Sequence, residues 1–194
     1  MSRIDRPRRR PATAGFTLVE LMVASILSLA VFAGVVAAFL MLGRSGYNAA
    51  NYSMMESESR RALEMFSSDA RMSNNLTWNS GTSVTLRVVT GGVSQLVTYA
   101  YDSSTSGPTA QCFYRKPGDA ASGGARLILV RNVSEFSFRR YKVINGVDYT
   151  ANNDLETKQI QITLRSVRTG MTTVAATNAV LSARVVLRNK VVTT

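Results

Sequence analysis

The chain has 194 residues, with 23 Lys and Arg against 12 Asp and Glu, for a formal charge of +11. Its single cysteine, Cys112, excludes an intrachain disulfide. Histidine is absent, which removes the commonest metal ligand and the commonest general base.

The chain opens on a basic stretch. Arg3, Arg6, Arg8, Arg9 and Arg10 outweigh Asp5, and Pro7 and Pro11 keep the stretch out of the helix that follows. Such a cluster beside an apolar segment is held on the cytoplasmic side of a membrane. From Phe16 to Leu42 every residue is apolar or small except Glu20. At about 1.5 Å per residue, a helix over this run reaches about 40 Å, enough to cross a bilayer with some tilt. Secretory signals carry their small-residue cleavage site after the apolar stretch. Here Gly15 comes before it. Cutting after Gly15 leaves the apolar segment on the mature protein, beginning at Phe16, with 18 basic and 11 acidic side chains.

The run Gly15-Phe16-Thr17-Leu18-Val19-Glu20-Leu21 resembles the class III leader of type IV pilins and type II secretion pseudopilins. The resemblance implies a prepilin peptidase that cuts after Gly15 and methylates the new N-terminus at Phe16. It further implies other pilin or pseudopilin subunits as partners. The protein would be single-pass in the inner membrane with its head in the periplasm or outside, and later part of a pilus or pseudopilus. A carboxylate inside a membrane costs a few kcal/mol, so Glu20 needs a reason. It either stays solvated at headgroup depth or pairs with a partner. By the resemblance that partner is the N-terminal amine of a neighbouring subunit, which makes Glu20 an assembly residue. Where the family often carries a proline in this half of the helix, this chain has Ala37, with Gly34 nearby.

Beyond the apolar run, Gly43 and Gly46 are expected to loosen the helix, and Arg44 marks the run's outer edge. Tyr52, Met55, Ala62, Leu63, Phe66 and Ala70 then recur at three- and four-residue spacings. Glu56, Glu58, Arg60, Arg61, Glu64 and Asp69 fall largely elsewhere. The pattern predicts an amphipathic helix ending near Asn74-Asn75, its apolar stripe packed on a sheet.

Past Leu76 the period drops to two. Val84, Leu86 and Val88 alternate with Thr85 and Arg87, and Gly91-Gly92 turns the chain into Val93 to Tyr101. Phe136 and Phe138 follow, and Asn145-Gly146 is a second hairpin signal. Ile160, Ile162 and Leu164 alternate with Gln161 and Thr163, and Leu181, Ala183, Val185 and Leu187 with Ser182, Arg184, Val186 and Arg188. Half-buried antiparallel strands are expected, covered by the long helix. The stretches 102–107 and 117–124 read as surface loops. The predicted class is α+β and pilin-like: a leader at 1–15, a membrane and assembly half of the helix at 16–43, an amphipathic half at 44–75 and a β-rich head at 76–194.

The head carries a looser resemblance. The run from Leu127 to Phe138 resembles a central strand of J-type minor pseudopilins and PilW-type minor pilins. Residues 160–164 resemble their following strand, 184–189 their chain end, and the segment around Arg61 to Arg71 fits the same group. This implies a minor subunit.

No catalytic motif accompanies these elements. Cys112 has no histidine to activate it and reads as a buried or bystander thiol. Asp148, Asn152, Asn153, Asp154 and Glu156 form an oxygen-rich cluster that reads as a solvated loop, with calcium as the sharper alternative. No cofactor or metal is called for. Beyond Glu156 there is no acid, while Lys158, Arg165, Arg168, Arg184, Arg188 and Lys190 follow. Arg139, Arg140 and Lys142 flank Tyr141 as a candidate patch for an anionic ligand, DNA being the weaker candidate partner. The plain alternative is solubilising charge spread over a wet sheet face.

Overall fold

A computed structural model describes residues 15–168 and 178–192. The leader up to residue 14 lies outside the described residues. Contacts divide the chain into two compact units, one through Ser45 and one from Gly46 onward.

Helix α1 runs from Leu18 to Met72. It passes through Gly43 and Gly46 unbroken, against the expectation of a loosened joint. An isolated helical glycine costs only about 1 kcal/mol relative to alanine, which its flanking turns outweigh. In the first unit the helix is a bare apolar rod: Leu29, Val31 and Phe39 are each at least 67% exposed. It is long and apolar enough to cross a membrane.

In the second unit the rest of α1 is amphipathic. Met55, Ala62, Phe66 and Ala70 are buried as their spacing predicts, whereas Tyr52 is exposed at the stripe's edge. Asn51, Ser59 and Asp69 are buried in the same stripe. The helix stops at Met72, two residues before the expected end, because Ser73 already pairs in a sheet and turns its hydroxyl back to the Ala70 carbonyl.

Two antiparallel sheets complete this unit. The first holds β1 (Ser73–Ser80), β2 (Ser83–Thr90), β3 (Val93–Asp102), β4 (Cys112–Pro117) and β5 (Leu127–Val130), in that order. The second is ordered β7-β6-β8-β9, from β6 (Val133–Ile144), β7 (Val147–Thr150), β8 (Gln159–Val167) and β9 (Asn178–Val186). Both hairpin signals hold. Thr90 faces Val93 across Gly91-Gly92, and Ile144 faces Val147 across Asn145-Gly146. All four turn residues have positive φ, between 50° and 81°, as a type I′ turn requires.

The resemblance had set Leu127 to Phe138 in one strand. The structure divides that run between the two sheets. Asn132, at φ 53°, turns the chain, and Val133 donates its N–H to the Gln111 carbonyl as it enters the second sheet. Strand β4 was not anticipated. Its buried Lys116 breaks the apolar alternation and is satisfied by donating to the carbonyls of Ala120 and Ser122.

One core joins α1 to both sheets. Phe66, fully buried, meets Tyr99 of β3 edge-on at 5.1 Å and Phe138 of β6 at 5.6 Å. Val84, Leu86, Ile160, Ile162 and Leu164 close around them. Removing a side chain such as Phe66 costs about 3–5 kcal/mol, so this joint fixes the head on its helix.

Candidate functional site

The N-terminal site begins where α1 begins. Gly15 has nothing within 4 Å of where a Cβ would stand, and Phe16 is 87% exposed. Both are reachable by an external enzyme. Thr17 caps the helix: its hydroxyl accepts the Glu20 N–H at 3.2 Å, while the Thr17 N–H donates to Glu20 Oε2 at 2.8 Å. This is a capping box, which satisfies two otherwise orphaned helix donors. The Thr17 hydroxyl also donates to Oε2, at 3.0 Å. Both bonds to the carboxylate reach the same oxygen, and Oε1 has no bond among the described residues. Glu20 is thus a local cap with a spare acceptor. The Thr-x-x-Glu spacing could have revealed Thr17's part from sequence.

In the head, the candidate basic patch is largely engaged. Arg140 pairs with Asp154 at 2.8 Å, donates to the Asn152 carbonyl and lies over the Trp78 ring. Lys142 pairs with Glu156 at 2.8 Å. Arg139 is exposed, facing Gln161 across the ladder, and has no ion pair among the described residues. The oxygen-rich cluster is engaged by the same contacts: Asp148 holds Arg184, Asp154 holds Arg140 and Glu156 holds Lys142. The Lys142 ammonium, then the N–H groups of Asn152 and Asn153, hold the Glu156 carboxyl below its ordinary range.

Cys112 is buried, and its S–H points at the Ala110 carbonyl. Burial raises its thiol above the ordinary range, the opposite of what a nucleophile requires. The sequence reading missed Asp69. This helix residue accepts the Tyr99 hydroxyl at 2.7 Å and Arg115 Nε at 2.9 Å, tying α1 to β3 and β4. Burial, and then the Asp69 carboxylate, push the Tyr99 phenol far above its usual range. The network is structural: the Tyr99 hydroxyl and Arg115 Nε both meet Asp69 Oδ2.

The prokaryotic N-terminal methylation motif matches residues 10–36, spanning the leader's end, Gly15, Phe16, Glu20 and most of the apolar rod. Over that segment the chain is similar to type IV pilin-like proteins, and its long apolar helix and β-rich head form an α+β, pilin-like architecture. Such a motif fits processing by a prepilin peptidase and association with other pilin subunits. It fits a membrane-anchored, single-pass structural subunit. No curated protein matches the chain.

Proposed function

We propose that this protein is a minor pilin or minor pseudopilin, a subunit that helps to assemble or to cap a type IV pilus or a type II secretion pseudopilus. The looser likeness of its head to J-type and PilW-type subunits supports the minor role. The peptidase cuts after Gly15, methylates Phe16 and leaves residues 16–43 as the membrane and assembly half of the helix. Residues 44–75 carry the β-rich head from residue 76 onward, in the periplasm or outside. The subunit then passes from the inner membrane into the filament.

The observation that carries this reading is the arrangement at the start of α1. A cleavable glycine, an exposed phenylalanine and a helix-capping carboxylate with a spare oxygen stand in register ahead of a bare apolar rod. Cleavage creates a charged amine at Phe16. In low dielectric that amine needs a counter-ion, and Glu20 Oε1 of a neighbouring subunit supplies one without breaking that subunit's own cap.

The test uses two variants in the native host. Gly15→Glu should leave an uncut precursor on an immunoblot. Glu20→Gln should be cut and inserted normally, yet fall at least about tenfold in sheared filaments, the equivalent of about 1.4 kcal/mol. A mature N-terminus at Phe16 in Gly15→Glu, or wild-type incorporation of Glu20→Gln, would count against the reading.

A further inference from the structure

An open sheet edge presents unpaired N–H and C=O groups to any passing strand, and proteins blunt such edges with bulges, short strands, charge or proline. The head's four edges are treated unequally. Strand β1 has two breaks in register, while β5 and β7 have four residues each. Strand β9 has nine residues, no proline and no break in register against β8. Its one charge, Arg184, is held by Asp148 and Gln161. No described strand pairs with its outer side. Val180 near its start is 68% exposed.

Beside this edge runs a groove of roughly 380 Å³, lined by Tyr52, Ser59 and Leu63 of α1 and by Ala179, Val180 and Leu181 of β9. Ser59 is only 4% exposed, yet its hydroxyl has no partner among the described residues. An unsatisfied buried hydroxyl costs about 1–3 kcal/mol, so the groove carries an unmet demand for a polar atom. The charges at its rim, Glu56 and Arg60, pair with each other at 2.8 Å. The two rim charges offset each other, which suits an uncharged strand.

We propose that β9 and this groove receive an extended strand from the head of a different pilin-like subunit. The proposal rests on the subunit reading above. The incoming backbone takes up the free hydrogen-bonding groups of β9, which a helix cannot do because its own backbone groups are already bonded. One apolar side chain of the strand settles against Leu63 and Leu181, and a polar atom of the strand reaches Ser59. The main chain supplies binding, and the groove selects small or β-branched residues.

The test places a photo-crosslinking benzoylphenylalanine at Tyr52, on the groove's rim, in the full-length protein in its host membrane. Mass spectrometry should identify an adduct with another protein that carries its own N-terminal methylation motif. Val180→Lys puts a charge on the exposed edge and should cut adduct yield at least about tenfold. Val180→Thr keeps a β-branched residue there and should retain the adduct. Adducts formed only with lipid, or only with a second copy of this chain, would overturn the proposal. So would a yield indifferent to Val180→Lys, or an equal adduct from the same probe at Val147 on the opposite edge. Cleavage at Phe16 and filament fractionation are read in the same cells. If both are intact and Tyr52 gives no adduct, the docking strand alone fails; if both are lost in the wild type, the subunit reading fails.

Discussion

Asp69 occupies a position that helical spacing assigns to the buried stripe and that residue type assigns to solvent. The structure gives it to the stripe because Tyr99 and Arg115, on two strands far along the chain, converge on its carboxylate. One sequence cannot reveal that convergence, so the charge alone put Asp69 outside. Asp69→Ala would leave the partly buried Arg115 cation unpaired and the Tyr99 hydroxyl without an acceptor, a loss of about 3 kcal/mol. The head's melting temperature should then fall by roughly 6–12 °C, followed by near-ultraviolet circular dichroism of the detergent-solubilised protein. Tyr99→Phe removes one neutral partner and should cost about 1 kcal/mol. Equal losses from the two variants would argue that the ion pair adds nothing beyond the hydroxyl bond.

At the scale of elements, the sequence was readable wherever a local rule is strict. Both glycine-containing hairpins and the alternating strands β2, β6 and β8 lie where patterning put them. The failures have a shared cause. Lys116 masked β4, Asn132 divided an apolar run that looked continuous, and Gly43 and Gly46 did not interrupt α1. In each case contacts or cooperativity overrode the local signal. The segment after β7 shows how such contacts respond to pH. Glu156 ties it down by accepting from Lys142 and from the N–H groups of Asn152 and Asn153. Its carboxyl is held below the ordinary 4.5, so the tie is complete above that pH and is lost as pH falls through the lower folded value. The amide resonances of Asn152 and Asn153 should therefore titrate with a midpoint below 4.5. In Glu156→Gln that titration should vanish. A midpoint above 4.5 would refute the tie.

Across the whole molecule, charge count overstates available charge. From Leu76 on there are 14 Lys and Arg against 6 Asp and Glu, a balance of +8. Seven of those cations are in ion pairs: Arg115, Arg126, Arg140, Lys142, Arg165, Arg168 and Arg184. Lys116, Lys158 and Lys190 donate to backbone carbonyls. A labelled DNA duplex should therefore bind weakly, with log affinity falling steeply against log salt, and negligibly at about 150 mM. Submicromolar affinity at that salt, abolished by replacing Arg139, Arg140 and Lys142 together, would instead make nucleic acid a true partner.

Cys112 is buried at the start of β4, with its thiol raised by burial. As the chain's single cysteine it leaves the head no intrachain disulfide to form on the way to its native state. The tempo of folding then depends on how fast distant strands find one another. The head's folding therefore does not wait on the redox state of its surroundings.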